Sequence, residues 1–240
     1  FPSEQELEDF MERRRKAEER DHRKIGQEMD LFSIPEHSPG CAHFHPNGMT
    51  IRRALERYIR AKNHKLDYTE VKTPELNKKE LWRKSGHLDF FGDEGEFFLW
   101  ETDGEDYGLK PMNCANHAYI YSSRKRSYRD LPIKLSEFGT VYRNEQSGEL
   151  SGLLRVRGFT QDDGHAFIRE DQIKDEMIST VEVVENVCDR FGFDVQLKIE
   201  TKPDNAQGPD ETWEKAEQAL EEAMTEKGSE YEIEVGEASF

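Results

Sequence analysis

Apolar positions recur at helical spacing in four stretches of the chain: Leu7, Phe10 and Met11; Ile51, Leu55, Tyr58 and Ile59; Ile173, Met177, Val181 and Val184; and Trp213, Ala216, Leu220, Ala223 and Met224. The first predicts a helix from Ser3 to about Lys24, opened by a capping box of Ser3 with Glu6. Beyond Met11 that helix is charged on every side, the pattern of a linker or solvent-bridging element. The second stretch carries Arg and Lys on its other face. The third predicts a helix over 171–191 stopped by Gly192, and the fourth a helix ending at Gly228.

Between these, periods of two mark strands. Tyr68 to Leu76 reads as a strand halted at Thr73-Pro74, because proline removes a ladder donor, and Asn77 with Glu80 reads as the cap of a short helix ending at Gly86. Asp103-Gly104 between two apolar runs is a hairpin signal, and a helix is expected from Cys114 to about Arg124. Ile133 to Arg143 and Gly158 to Arg169 read as two strands joined by the loop 144–157, with further strands at Val195–Ile199 and from Tyr231. Residues 33–48, dense in Pro, His and Gly, predict an irregular loop. Hairpins with helices set between them favour an α+β fold, an antiparallel β-sheet flanked by helices.

Composition adds two constraints. With 51 acidic against 34 basic side chains the net charge is −17, which argues against a generic nucleic-acid coat or an anionic-membrane binder. The charge is uneven: residues 199–240 hold 13 acidic and 3 basic residues, whereas 124–157 hold 8 basic and 4 acidic. A basic island in an acidic chain faces an anion. No apolar run is long enough to span a membrane, and Cys41, Cys114 and Cys188 lack disulfide-framework spacing, so a soluble, cytoplasmic location in a reducing compartment is expected. A first residue that is Phe and a strand-like end at 231–240 predict a piece of a longer protein.

The island contains the densest chemistry. Arg143, Arg155 and Arg157 offer planar donor forks for phosphate or carboxylate, Gly148 and Gly152 permit close approach, and Phe159 offers a ring face. An ordinary solvated hairpin is the competing account of the same residues. Phe159, Gln161, Asp163 and His165 alternate onto one strand face, which makes a poor core and either a pocket floor or a solvent-facing surface. Cys114 and His165 are soft and borderline metal donors, 51 residues apart, and each alone is more commonly a small hydrophobe or a hydrogen-bonded histidine.

Arg143-Asn-Glu145 followed by Arg155-Val-Arg157-Gly-Phe-Thr-Gln161-Asp-Asp163-Gly-His165 resembles motif 2 of the class II aminoacyl-tRNA synthetases, the threonyl-tRNA synthetases in particular. Arg20-Asp-His-Arg-Lys-Ile-Gly26, Lys110-Pro-Met112-Asn-Cys114 and Ser127-Tyr-Arg-Asp-Leu-Pro132 extend the resemblance, and Val71-Lys-Thr-Pro74 is similar to the proline-ending motif 1 used for dimerisation. The resemblance implies a class II synthetase-like catalytic core, truncated, with 1–24 a linker helix from an upstream domain and 25–240 part of the catalytic domain. It implies activation of L-threonine with ATP to threonyl-adenylate, transfer to tRNA(Thr), and a homodimer in the full-length enzyme.

By the same resemblance Arg143 bridges the amino-acid carboxylate and the α-phosphate, Arg155 holds the γ-phosphate, Glu145 meets the adenine amino group and Phe159 stacks on the base. Met112, Gln161 and Asp163 line the amino-acid pocket, and His87 serves the transfer step or is a simple helix-end histidine. Cys114 and His165 bind zinc (Zn2+) with a third histidine, and magnesium (Mg2+) accompanies ATP. Zinc gives a chemical reason for specificity, since valine is nearly isosteric with threonine but cannot coordinate a metal. The chain ends before the family's Tyr-Gly-Pro-Lys stretch, third zinc histidine and motif 3, so the isolated piece is expected to be inactive. The alternative is a synthetase-like module that senses an amino acid or tRNA without catalysis.

Overall fold

The computed structural model describes residues 1–91, 97–204, 206 and 208–238. Helix α1 (Glu4–Glu19) starts where the Ser3 hydroxyl accepts the Glu6 backbone N–H at 3.2 Å, and it buries no residue. It stops short of the expected Lys24, because the Asp21 carboxylate accepts the Arg23 N–H and begins a separate helix, α2 (His22–Glu28). The segment expected to be irregular contains a small antiparallel pair, β1 (Phe32–Ser33) with β2 (His43–Phe44). Helix α3 (Pro46–Lys65) follows with proline in its first turn, where a missing N–H costs nothing.

The expected strand from Tyr68 is short, β3 (Thr69–Glu70), and chain pairing resumes after Pro74 as β4 (Leu76–Lys78). Asn77 therefore lies in a strand, where its amide donates to the Pro74 carbonyl, and does not cap the next helix; Lys79 occupies the N-cap of α4 (Glu80–Lys84). After α5 (His87–Phe91), strands β5 (Phe98–Thr102) and β6 (Glu105–Leu109) form the expected hairpin. Both turn residues are left-handed, Asp103 at φ 55° and Gly104 at φ 76°, as a tight primed turn requires. Helix α6 (Cys114–Ser122) leads to β7 (Ile133–Tyr142) and β8 (Gly158–Phe167), ten residues each and paired antiparallel throughout.

Two three-stranded sheets result, β3-β7-β8 and β4-β6-β5, the first with β3 parallel to β7. The last part of the chain is α7 (Ile173–Phe191), β9 (Leu197–Glu200), α8 (Asp210–Lys227) and β10 (Tyr231–Glu234). Here the antiparallel expectation fails locally, since β9 and β10 are parallel and joined through α8. Gly192 and Gly228 end their helices at φ 70°. The described core is in two parts: Trp82, Leu88, Phe97 and Ala115 around the second sheet, and Val181, Ile199, Ala223 and Met224 between α7, α8 and β9. Val184, expected on the buried face of α7, is 44% exposed. No described helix is long and apolar enough to cross a membrane.

Candidate functional site

The register of β7 on β8 sets the two faces of the central sheet. Val141 lies opposite Phe159, Gly139 opposite Gln161, Glu137 opposite Asp163 and Leu135 opposite His165, so the four predicted residues of β8 share one face with the odd residues of β7. Helix α3 takes the other face: Arg52 donates to the Thr160 hydroxyl at 2.9 Å and Asn63 to the Asp162 carboxylate at 2.8 Å. Gly164 is on that side too, where Tyr68 leaves no room; a β-carbon there would lie 2.8 Å from its ring.

Helix α6 covers the first face. Asn113, just before it, donates to the Asp163 carboxylate at 2.9 Å, and its amide oxygen would lie 2.3 Å from a β-carbon on Gly139. Cys114 and His117 are three apart and share a side of α6. Burial and the adjacent Asp163 carboxylate push the Cys114 thiol up to about 11. The His117 ring meets His165 Nδ1 to Nδ1 at 2.8 Å, while His165 stands 3.8 Å from the Asp163 carboxylate. Burial holds His165 below the usual imidazole range; Asp163 opposes this and His117 adds to it. His87 is 3% exposed and in contact with Ser85, Oγ to Nδ1, at 2.8 Å. Its burial also keeps it below the imidazole range, against the pull of Ser85, and His165 deepens the depression.

Behind this row lies a network that sequence reasoning did not find. Glu137, 1% exposed, accepts the Thr73 backbone N–H and hydroxyl, both at 2.8 Å, and contacts His117 Nε2 at 3.2 Å. Lys110, fully buried, donates to the Thr73 hydroxyl at 2.7 Å and approaches Glu137 at 3.5 Å. Burial raises the Glu137 carboxyl, but the Thr73 bonds, Lys110 and His117 outweigh it and leave the group below the ordinary carboxylate range. Burial moves Lys110 below the ordinary ammonium range. The sequence signals were a histidine one helical turn after Cys114 and a lone acid in β7.

The arginine-rich loop forms the other half. The Arg143 guanidinium lies 5.3 Å from the centre of the Phe159 ring, and Arg155 pairs with Glu145 at 2.8 Å while 53% exposed. Arg157 ties the loop down through the Glu145 carbonyl at 2.9 Å and the Ser147 hydroxyl at 3.2 Å. From below, His22 of α2 accepts the Leu153 N–H at 2.9 Å, close enough that a β-carbon on Gly152 would lie 2.2 Å from its ring. The structure thus brings Cys114, Asp163, His165 and His87 together and sets Arg143 against Phe159. Met112, half-buried, directly precedes Asn113. A cavity of about 790 Å³ lies on the α3 side and takes in Phe159 but none of the other predicted site residues.

Among the described residues no three His, Cys, Asp or Glu side chains form a group that could hold a metal ion. The thiol of Cys114 and the imidazole of His165 are a donor pair of the type zinc takes, set beside a carboxylate, so the residues present fit part of a zinc site.

Residues 97–239 match the family described as tRNA synthetase class II core domain (G, H, P, S and T). The whole chain is 49% identical to the threonine–tRNA ligase of Haloarcula marismortui and 47% identical to that of Halobacterium salinarum, and spans 37% of the length of each. A crystal structure of the RNA binding domain of threonyl-tRNA synthetase from Cryptosporidium parvum superposes with a TM-score of 0.86 at 36% identity, covering 92% of this chain and 55% of that one.

Proposed function

The chain belongs to the class II tRNA synthetase core family, among the threonyl-tRNA synthetases, and from that premise we propose that it forms the part of the active centre that activates L-threonine with ATP and charges tRNA(Thr). The observation that carries this reading is the union, on one face of β7 and β8, of an arginine-bearing loop with the Cys114, Asp163 and His165 row. Attack of the threonine carboxylate on the α-phosphorus brings two anions together and expels pyrophosphate. Arg143 and Arg155 assist by charge neutralisation and alignment, with magnesium accompanying ATP. Arg143 is already braced against Phe159, whose ring would stack on the base, whereas nucleotide binding must separate Arg155 from Glu145.

Met112, Gln161 and Asp163 would line the amino-acid pocket, with Asp163 held by Asn113. Cys114 and His165 would hold zinc, which when bound supplies coordination positions that a hydroxyl can fill and a methyl cannot. In the transfer step the ribose hydroxyl attacks the adenylate carbonyl and AMP leaves; His87, which burial holds below the usual imidazole range, would accept the proton. Residues 1–24 serve as a linker and 25–240 as part of a catalytic domain that works as a homodimer in the cytoplasm. Arg124, Lys125, Arg126 and Arg129 supply the basic surface for the RNA backbone. The test is threonine-dependent ATP–pyrophosphate exchange by the complete gene product. We expect exchange, lowered about a hundredfold or more by Arg143→Ala; a folded product that exchanges no pyrophosphate with threonine overturns the reading.

A further inference from the structure

We propose that His117 is a positioning residue: by bridging Glu137 and His165 it holds the His165 ring in the tautomer with Nδ1 protonated and the Nε2 lone pair available to a ligand. One chain of hydrogen bonds fixes where the ring protons sit. Glu137 already accepts from the Thr73 N–H and hydroxyl, both at 2.8 Å, and an ionised carboxylate only accepts. The ring nitrogen that faces it, His117 Nε2 at 3.2 Å, must therefore donate. Lys110 reaches the same carboxylate at 3.5 Å. A neutral imidazole carries one proton, so His117 Nδ1 is an acceptor, and its partner at 2.8 Å, His165 Nδ1, is the donor.

The rings meet edge to face, 4.8 Å between centres at 88°, with His117 completely buried, which fixes His165 in rotation as well as in tautomer. An isolated neutral histidine has both tautomers open to it; the 2.8 Å contact with His117 supplies the bias at hydrogen-bond distance, and the Asp163 carboxylate, 3.8 Å from the same Nδ1, favours the same tautomer from farther away. The partner shell of a ligating imidazole sets its orientation and basicity. The consequence for metal affinity rests on the zinc reading above, while the tautomer itself does not.

The experiment is nitrogen NMR of ring-labelled histidine in the full chain, above the pH where His165 is charged, for the parent, His117→Phe and His117→Gln. We expect the parent His165 to carry its proton on Nδ1, the Phe variant to shift to Nε2, and the Gln variant, whose amide can both accept and donate, to recover most of the parent state. A parent His165 protonated on Nε2, or a tautomer unmoved in the folded Phe variant, overturns the proposal. If the Phe variant does not fold, the parent spectrum and the Gln variant decide it. In parallel, zinc alone is titrated against a chelator. Binding about 10- to 100-fold weaker in the Phe variant, restored by Gln, is expected, and equal binding by parent and Phe variant counts against the positioning role. A parent that binds no zinc sinks the metal reading and leaves the tautomer result standing.

Discussion

Asn113 shows how much a single residue carries at this site. Its amide spans from Gly139 on β7 to Asp163 on β8, in a space that only a residue without a β-carbon leaves open. Gly139→Ala should cost about 1–3 kcal/mol as Asn113 is forced away, measured by urea unfolding, and should release Asp163 from its partner. Glu137 makes a second test. Its carboxyl lies below the ordinary range in the folded chain, so it stabilises the fold above that range, and the contribution is lost as pH falls through its own lower value. Glu137→Gln strands buried Lys110 and should cost about 3 kcal/mol at neutral pH. Denaturation repeated in acid should show the gap between parent and variant closing; a pH-independent gap would contradict the assignment. The alternation of Phe159, Gln161, Asp163 and His165 was legible from sequence because a strand has a period of two. The Glu137 and His117 partners were not, because they meet only through a strand pairing and a helix packing that no local pattern encodes.

At the scale of elements, long periodic stretches read correctly and short ones did not. Helices α3, α7 and α8 and the β5–β6 hairpin lie where apolar spacing, stop glycines and Asp103-Gly104 place them. The misreadings fall where one side chain overrides a pattern: Asp21 divides a charged run into two helices, and Asn77 pairs in a strand although its sequence reads as a cap. The α2 break has a use, since it sets His22 beneath the arginine-bearing loop at Leu153. His22→Ala should leave that N–H without its acceptor, at about 1 kcal/mol. Limited proteolysis should then cut within 144–157 several times faster, with the cleavage of α3 unchanged.

For the whole molecule, the charge imbalance is a load on stability. A net −17 with 13 acids in the last 42 residues repels itself, and salt screens that repulsion. Raising potassium chloride from about 0.05 to 1 M, where the screening length falls from above 10 Å to about 3 Å, should raise the melting temperature by about 2–4 °C for each kcal/mol gained. A flat or falling midpoint would mean that attractive surface pairs dominate instead. The two buried clusters described above share no residue, and α7, whose apolar side packs on α8 and β9, reaches the earlier part of the chain through polar and ring contacts. Tyr68 donates to Glu176 at 3.2 Å, Lys134 pairs with the same carboxylate, and Arg190 lies over Tyr58. A seam of that kind yields before either interior does. Native-state amide exchange should therefore reveal two separate opening energies, with 173–234 exchanging as one cooperative block while β7 and β8 stay protected. The acidic end of the chain can then melt and re-form like a detachable panel, leaving the chemistry-bearing sheet intact.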